Sequence, residues 1–274
     1  MKLGIHITFY YIKNRLPYLE KVLDGLEKIE KTKTIFIYTN IEFDLNEKYQ
    51  DVEIVVNDFA NNGHKRLSKL RRFYYQTFLK LGITKMVHPY YLTWINRTYV
   101  ESYIDEFDAQ MYIEDDIYFD NISFNYWLKN KTVCIENEFN LGFLRVEEDD
   151  SKNRFLTDLT SIPKKIIELQ GEKFLLNDVN PYYGFWIYDK SELKKFIKSK
   201  EWKFKFKNYG VRERSAIGWH GFKMKRYKGS LIPLIKIDED LYQCDEDCAV
   251  HHLPNNYIGS DVFCQYSFPF EIKK

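Results

Sequence analysis

The chain is poor in the residues that cross-link or punctuate small folds. Its 274 residues include 4 cysteines, 7 prolines and 12 glycines. Cys134, Cys244, Cys248 and Cys264 are too few and too scattered for a disulfide framework and are expected to be reduced. Sparse glycine also leaves no GxGxxG fingerprint, no P-loop and no GxSxG elbow. Their absence argues against dehydrogenase, kinase and serine-hydrolase chemistry. Excess charge of one sign is missing too, with 41 Lys and Arg against 40 Asp and Glu. No global field recruits nucleic acid or anionic lipid, so an anionic partner must be met locally. No run approaches the ~18 apolar residues of a membrane span, and "MKLGIHITFYY" lacks the features of a signal peptide. A soluble, cytoplasmic protein with no transmembrane segment is expected.

Apolar residues are plentiful, at 45% of the chain, and aromatic residues reach 18%. That supplies a sizeable core for one large domain. The 22 Tyr and 21 Phe exceed what a core needs and suit stacking on sugar rings or bases, although a biased genome composition produces the same excess.

Leu3, Ile5, Ile7 and Phe9 alternate as a strand requires. A helix follows, with Asn14 as its expected cap, Pro17 in its first turn and Leu16, Leu19, Leu23, Leu26 and Ile29 at helical spacing. "TIFIYTN" (34–40) and "VEIVVND" (52–58) read as short strands. Helices are expected over about 66–81 and 91–104, then a strand over 111–113. This alternation predicts an α/β fold with a largely parallel sheet and helices on its faces. Ligands bind such sheets beyond the carboxyl ends of the strands, which gathers Thr8, Tyr10, Asn40, Asp58 and residues 114–116 at one place. Arg15, just past the first strand, is positioned to meet a nucleotide base or a diphosphate. The second half is less regular, with strands expected at 139–146, 182–188 and 231–237. Residues 147–153, "EEDDSKN", read as a solvated loop, and "DKSE" (189–192) as a capping box.

The stretch "MYIEDDIYF" (111–119) crowds Glu114, Asp115 and Asp116 between apolar runs. Three like charges in such a place are costly without a compensating cation or solvent. Mn2+ or Mg2+ takes one or two carboxylates and completes its shell with water and phosphate. Asp116 is the first choice for direct ligation, and a solvated acidic turn is the plain alternative.

Together with "IHITFYY...NRLPYL", "HPYYLTW" (88–94), "YIEDDI" (112–117), "GFWIYDKSEL" (184–193) and "VHHLPNNY" (250–257), the triplet resembles the GT-A-fold glycosyltransferases. The resemblance spans most of the chain. It implies a single domain over 1–274 with a GT-A-like, Rossmann-type sheet. Residues 1–120 would form the nucleotide-sugar half and 121–274 a smaller acceptor-side, catalytic half. The implied activity is metal-dependent transfer from a nucleotide-sugar donor, a UDP-sugar in preference to a GDP-sugar, to a saccharide acceptor. The "EDD" form resembles an inverting branch, with Asp116 on the metal and Glu114 and Asp115 on the donor, Glu114 also being a metal candidate. By the same resemblance His251 or His252 completes the metal site. His88, Thr93 and Trp94 would line the donor pocket, and Glu213 would be the catalytic base, flanked by Arg212 and Arg214 that can neutralise a departing diphosphate. Asp178 and Asp189 are alternative bases. Cys244, Cys248 and Cys264 with a histidine make a rival zinc set of unusual spacing. A nucleotidyltransferase of similar fold and a non-catalytic carbohydrate-binding protein are the competing functions. "FYYIKNRLPY" lacks the glycine-rich loop usual in the former.

Overall fold

The computed structural model describes residues 1–57, 73–74, 77–78, 81, 89–204, 210–220 and 229–273. In chain order its first strands are β1 (Lys2–Phe9), β2 (Thr32–Thr39), β3 (Val52–Val56), β4 (Ala109–Glu114) and β5 (Ile117–Tyr118). Next come β6 (Asn140–Leu141), β7 (Leu144–Glu148), β8 (Arg154–Leu156), β9 (Ile166–Leu169), β10 (Glu172–Asn177) and β11 (Phe185–Asp189). The last are β12 (Ser230–Asp238), β13 (Leu241–Cys244), β14 (Ala249–His252), β15 (Ser267–Phe268) and β16 (Glu271–Lys273). The α-helices are α1 (Leu16–Glu27), α2 (Leu92–Ser102), α3 (Asn121–Glu136), α4 (Lys190–Lys198) and α5 (Val211–Ala216).

The first sheet has the order β11-β4-β1-β2-β3. Its four first-half strands are parallel, and β11 closes the edge antiparallel to β4. Period-two alternation gives each strand two apolar faces. Ile5, Ile7, Ile35, Ile37, Met111 and Ile113 join Leu19, Val22, Leu23 and Leu26 of α1 in one buried cluster. On the opposite face Phe36 and Tyr38 pack with Ile95, Tyr99 and Tyr103 from α2 and the turn after it. The α/β class with helices on both faces is as the sequence implies. The larger cluster continues from Leu3 to Ile272, so packing crosses the point near residue 120 where the pattern changes. The other two sheets, β16-β13-β12-β10-β9 and β15-β8-β7-β14-β5, are mainly antiparallel.

Several local expectations are corrected. Asn14 does not cap α1: it lies in a 3-10 turn, Lys13–Arg15, and Arg15 occupies the N-cap position without a side-chain cap. Residues 139–146 are two short strands, β6 and β7, with Gly142 between them. An alanine Cβ at Gly142 would come within 2.5 Å of Ser230 Oγ. α3 was not anticipated. It is capped by Asp120, whose carboxylate accepts from the Ile122 and Ser123 amides, and it buries Asn130 among Phe124, Tyr126, Trp127 and Cys134, which blurs a helical stripe. The 147–153 segment is not wholly a solvated loop, because Glu147 lies in β7 and is fully buried. Asp189 does cap α4, but Glu192 pairs with Lys195 and does not close the box. The helix expected over about 66–81 falls largely outside the described residues.

Candidate active site

β4 delivers the acidic triplet. Glu114 is its last residue, Asp115 and Asp116 form the turn, and β5 carries the chain away. β5 pairs with β14, opposing Ile117 to His252, and this brings the C-terminal histidines beside the acids. Gly184, before β11, holds the other flank. Its φ of +81° favours glycine, and a Cβ there would fall 2.7 Å from Ile117 and 3.3 Å from a Glu114 oxygen. The triplet is not a solvated acidic turn, since all three acids are buried, between 6% and 8% exposed.

Burial of like charges demands compensation, and much of it comes from arginine. Arg15 Nε and Nη2 donate to the two carboxylate oxygens of Asp115 at 3.0 and 2.8 Å, and Nη2 also donates to Asp116 Oδ2 at 2.9 Å. Glu114 Oε2 accepts from the Tyr182 hydroxyl at 2.8 Å. Behind Tyr182, the buried Arg145 guanidinium lies 5.1 Å from its ring centroid and is held by both oxygens of Asp158 at 2.7 Å. Compensation is incomplete. Burial, then the charge of Asp116, pushes Glu114 up to about 7 and Asp115 up to about 6. Burial alone would also raise Asp116, but His252 and Arg15 outweigh it and hold that carboxyl well below the usual range. Asp116 Oδ1 is buried with no hydrogen-bond partner among the described residues.

Beside the acids, at the carboxyl ends of β1 and β4, lies a cavity of about 270 Å³. Thr8, Tyr10, Arg15, Thr93, Glu114 and Asp115 line it, together with Ile12, Tyr90, Leu92, Tyr112 and Arg212. Six residues singled out in sequence as donor-contacting therefore share one space. Arg212, exposed on α5, forms no ion pair with a described residue; partial desolvation opposes its charge, but the nearby Glu114 and Asp115 outweigh it and raise its proton affinity. Asn40 is buried at the end of β2, where its side chain accepts from the Tyr11 amide at 2.6 Å and so shapes the turn after β1. Trp94 is not among the residues that line the cavity; it packs edge-on to Phe204 with the Arg97 guanidinium 4.5 Å from its ring. Glu213 is exposed on α5, next to Arg212 and outside the lining. Asp58 and His88 lie outside the described residues.

Of the two adjacent histidines, β14 turns His252 inward and leaves His251 half-exposed, bonded to Asn255 at 2.9 Å. His252 Nε2 lies 3.7 Å from Asp116 Oδ2, while Nδ1 is bonded to Glu147. Burial opposes charge on His252, but Asp116 and Glu147 outweigh it and raise its proton affinity. Glu147 is held in turn by the Tyr257 and Ile258 amides at 2.8 and 3.1 Å. Sequence reasoning missed Glu147, Tyr182 and Arg145. The first was hidden in an acidic run, and nothing local marks the other two.

Among the described residues no three His, Cys, Asp or Glu side chains converge as a ready-made metal cage. A hard cation that takes one or two carboxylates and is completed by water and phosphate does not require one. The donor set fits such an ion: an orphaned Asp116 oxygen, the raised proton affinity of Glu114 and Asp115, and an imidazole oriented by a carboxylate through its other nitrogen, the usual support of a metal-binding histidine. The four cysteines are free and buried. Cys264 points its thiol at Glu147, 3.7 Å away.

No family model and no curated protein matches the chain. Among solved structures, S. aureus TarS 1-349 aligns over 92% of this chain and 60% of its own length, at 13% identity and a TM-score of 0.39. The same TarS segment in complex with UDP-GlcNAc aligns over 71% and 47%, at 14% identity and 0.33. The galactosyltransferase LgtC, in complex with donor and acceptor sugar analogs, aligns over 78% and 70%, at 11% identity and 0.31. The chain thus spans three fifths or less of the TarS structures. Among the described residues no helix is long and apolar enough to cross a membrane.

Proposed function

We propose that this protein transfers a sugar from a nucleotide-sugar, a UDP-sugar in the favoured form, to a hydroxyl of a saccharide or other acceptor. The observation that carries the reading is the cavity at the strand ends, where two guanidinium groups, two carboxylates and tyrosine rings surround one space. A nucleotide-sugar presents a base, a diphosphate and polar sugar hydroxyls. Tyr10 and Tyr90 bring aromatic rings to the cavity wall, the kind of group on which a base or sugar stacks, Arg212 brings a planar N–H fork and Arg15 its Nη1 for phosphate oxygens, and Glu114 and Asp115 can accept hydrogen bonds from sugar hydroxyls.

Asp116 and His252, with Glu114 at the edge, are the residues that would hold Mn2+ or Mg2+. When bound there, the cation supplies Lewis-acid stabilisation of the leaving diphosphate. The chain's own part is to fix the donor and to take one proton. As the acceptor oxygen bonds to the anomeric carbon, the bond from that carbon to the diphosphate oxygen breaks, and the acceptor's proton passes to a carboxylate. Glu213 has that role in this proposal, because the acceptor comes from solvent and Glu213 is exposed beside a residue that lines the cavity. Attack on the face opposite the leaving group inverts the anomeric centre.

A donor-hydrolysis assay tests the reading, with nucleoside diphosphate release measured from a panel of UDP- and GDP-sugars in Mn2+. Release from at least one sugar is expected. A carbohydrate-binding protein releases none, and a nucleotidyltransferase instead releases pyrophosphate from a nucleoside triphosphate and a sugar phosphate.

A further inference from the structure

We infer that Arg15 is a resident counter-cation that keeps a divalent ion off the acidic triplet until a diphosphate arrives and draws the guanidinium away. The inference rests on the proposed nucleotide-sugar function and concerns the order in which its ligands enter. Arg15 donates to both oxygens of Asp115 and to Asp116 Oδ2, so its positive charge lies beside Oδ1, the Asp116 oxygen open to a divalent cation, and repels such an ion. It also belongs to the cavity wall. Only Nε and Nη2 are used. Nη1 has no hydrogen-bond partner among the described residues, and the side chain is 31% exposed, so a phosphate can engage the guanidinium from the cavity side.

The backbone favours such an exchange. Arg15 stands at the end of a 3-10 turn, its amide bonded to Ile12 at 2.8 Å, so the long side chain can turn without moving β1 or α1. Arg15 is the one cation among the described residues that is bonded directly to both Asp115 and Asp116. Arg145 is committed to Asp158, His252 to Glu147, and Arg212 lines the cavity without an ion pair. Arg15 is the group whose two sets of partners, carboxylate and phosphate, compete.

The test is Mn2+ binding by titration calorimetry, with and without UDP, to the whole chain and to Arg15→Gln. Wild type is expected to bind Mn2+ weakly alone and more tightly with UDP. Arg15→Gln should bind Mn2+ without nucleotide about tenfold or more tightly than wild type, the scale on which one adjacent charge alters a carboxylate's affinity for a cation. Arg15→Lys, which keeps the charge and loses the fork, should fall between them, and it carries the test if the glutamine variant does not fold. Equal nucleotide-free Mn2+ affinity in wild type and variant overturns the inference, as does tight binding by wild type alone. Either result leaves UDP binding and donor hydrolysis intact, whereas loss of those in wild type overturns the functional reading itself.

Discussion

β1 and β4 carry two buried polar groups, one in mid-strand and one at their carboxyl ends, and the two are solved in opposite ways. In the middle, His6 Nδ1 meets the Tyr38 hydroxyl at 2.7 Å and Nε2 meets Gln110 Oε1 at 2.8 Å, while Gln110 Nε2 donates to the Val100 carbonyl at 3.1 Å. All partners are neutral, and burial pushes His6 down to about 4. At the carboxyl ends, charge is packed beyond what the described neighbours compensate, and an Asp116 oxygen has no partner among them. Buried polar groups ordinarily find partners. The first set obeys that rule and builds structure. The second breaks it beside a cavity, which is the ground for proposing that a ligand completes the balance there.

Breaking the charged set should have the largest effect. Asp116→Ala is expected to abolish Mn2+-dependent nucleotide-sugar binding with no loss of fold, since it removes a charge that strains Glu114 and Asp115. Calorimetry with and without Mn2+ checks this, and an unchanged donor affinity contradicts it. Next, Glu213→Gln should lower kcat ~10²–10⁴-fold with donor affinity little changed, as when a proton acceptor is lost and the binding shape kept. Normal turnover passes the role to Glu114, which lines the cavity and holds its proton up to about 7.

The neutral set should respond in stability and not in chemistry. Gln110→Leu strands His6 Nε2 and the Val100 carbonyl, at a cost of about 1–3 kcal/mol, seen as a lower denaturation midpoint with donor affinity retained. The same neutral set also responds to pH. His6 titrates near 4 when folded and near 6.5 when unfolded, so the unfolded chain binds more protons between those values. Its contribution is complete above pH 6.5 and falls as pH drops towards 4, by at most ~3 kcal/mol. His252 acts in the other sense: its raised value gives stability present at acid pH and lost as pH rises through the folded value. A His6 ring that charges above pH 6 by NMR contradicts the assignment.

The contrast also explains what could be read from sequence. β1, β2, β3 and β4 declare themselves because each face of a parallel strand needs apolar side chains at period two. The rule that ligands gather at strand ends then brings Thr8, Tyr10, Arg15, Glu114 and Asp115 together. Asn40 sits at the predicted strand end, yet its amide is spent on the Tyr11 backbone, a use that no periodicity reveals. Glu147 looks like one more solvated acid in "EEDDSKN". It is buried because β7 lies beside β14 and because two amides far along the chain turn towards it. Arg15 as counter-ion was likewise invisible, since its partners are a hundred residues away. What the sequence hides here is the pairing of charges across elements.

On the proposed function, the charged set awaits a nucleotide-sugar. The most direct measurement is the melting temperature of the wild-type chain against a panel of nucleotide-sugars, with and without Mn2+, since a ligand that binds only the folded state raises it. The account predicts a rise with at least one UDP-sugar that is larger when Mn2+ is present and absent in Asp116→Ala. No shift with any nucleotide-sugar in either condition contradicts it.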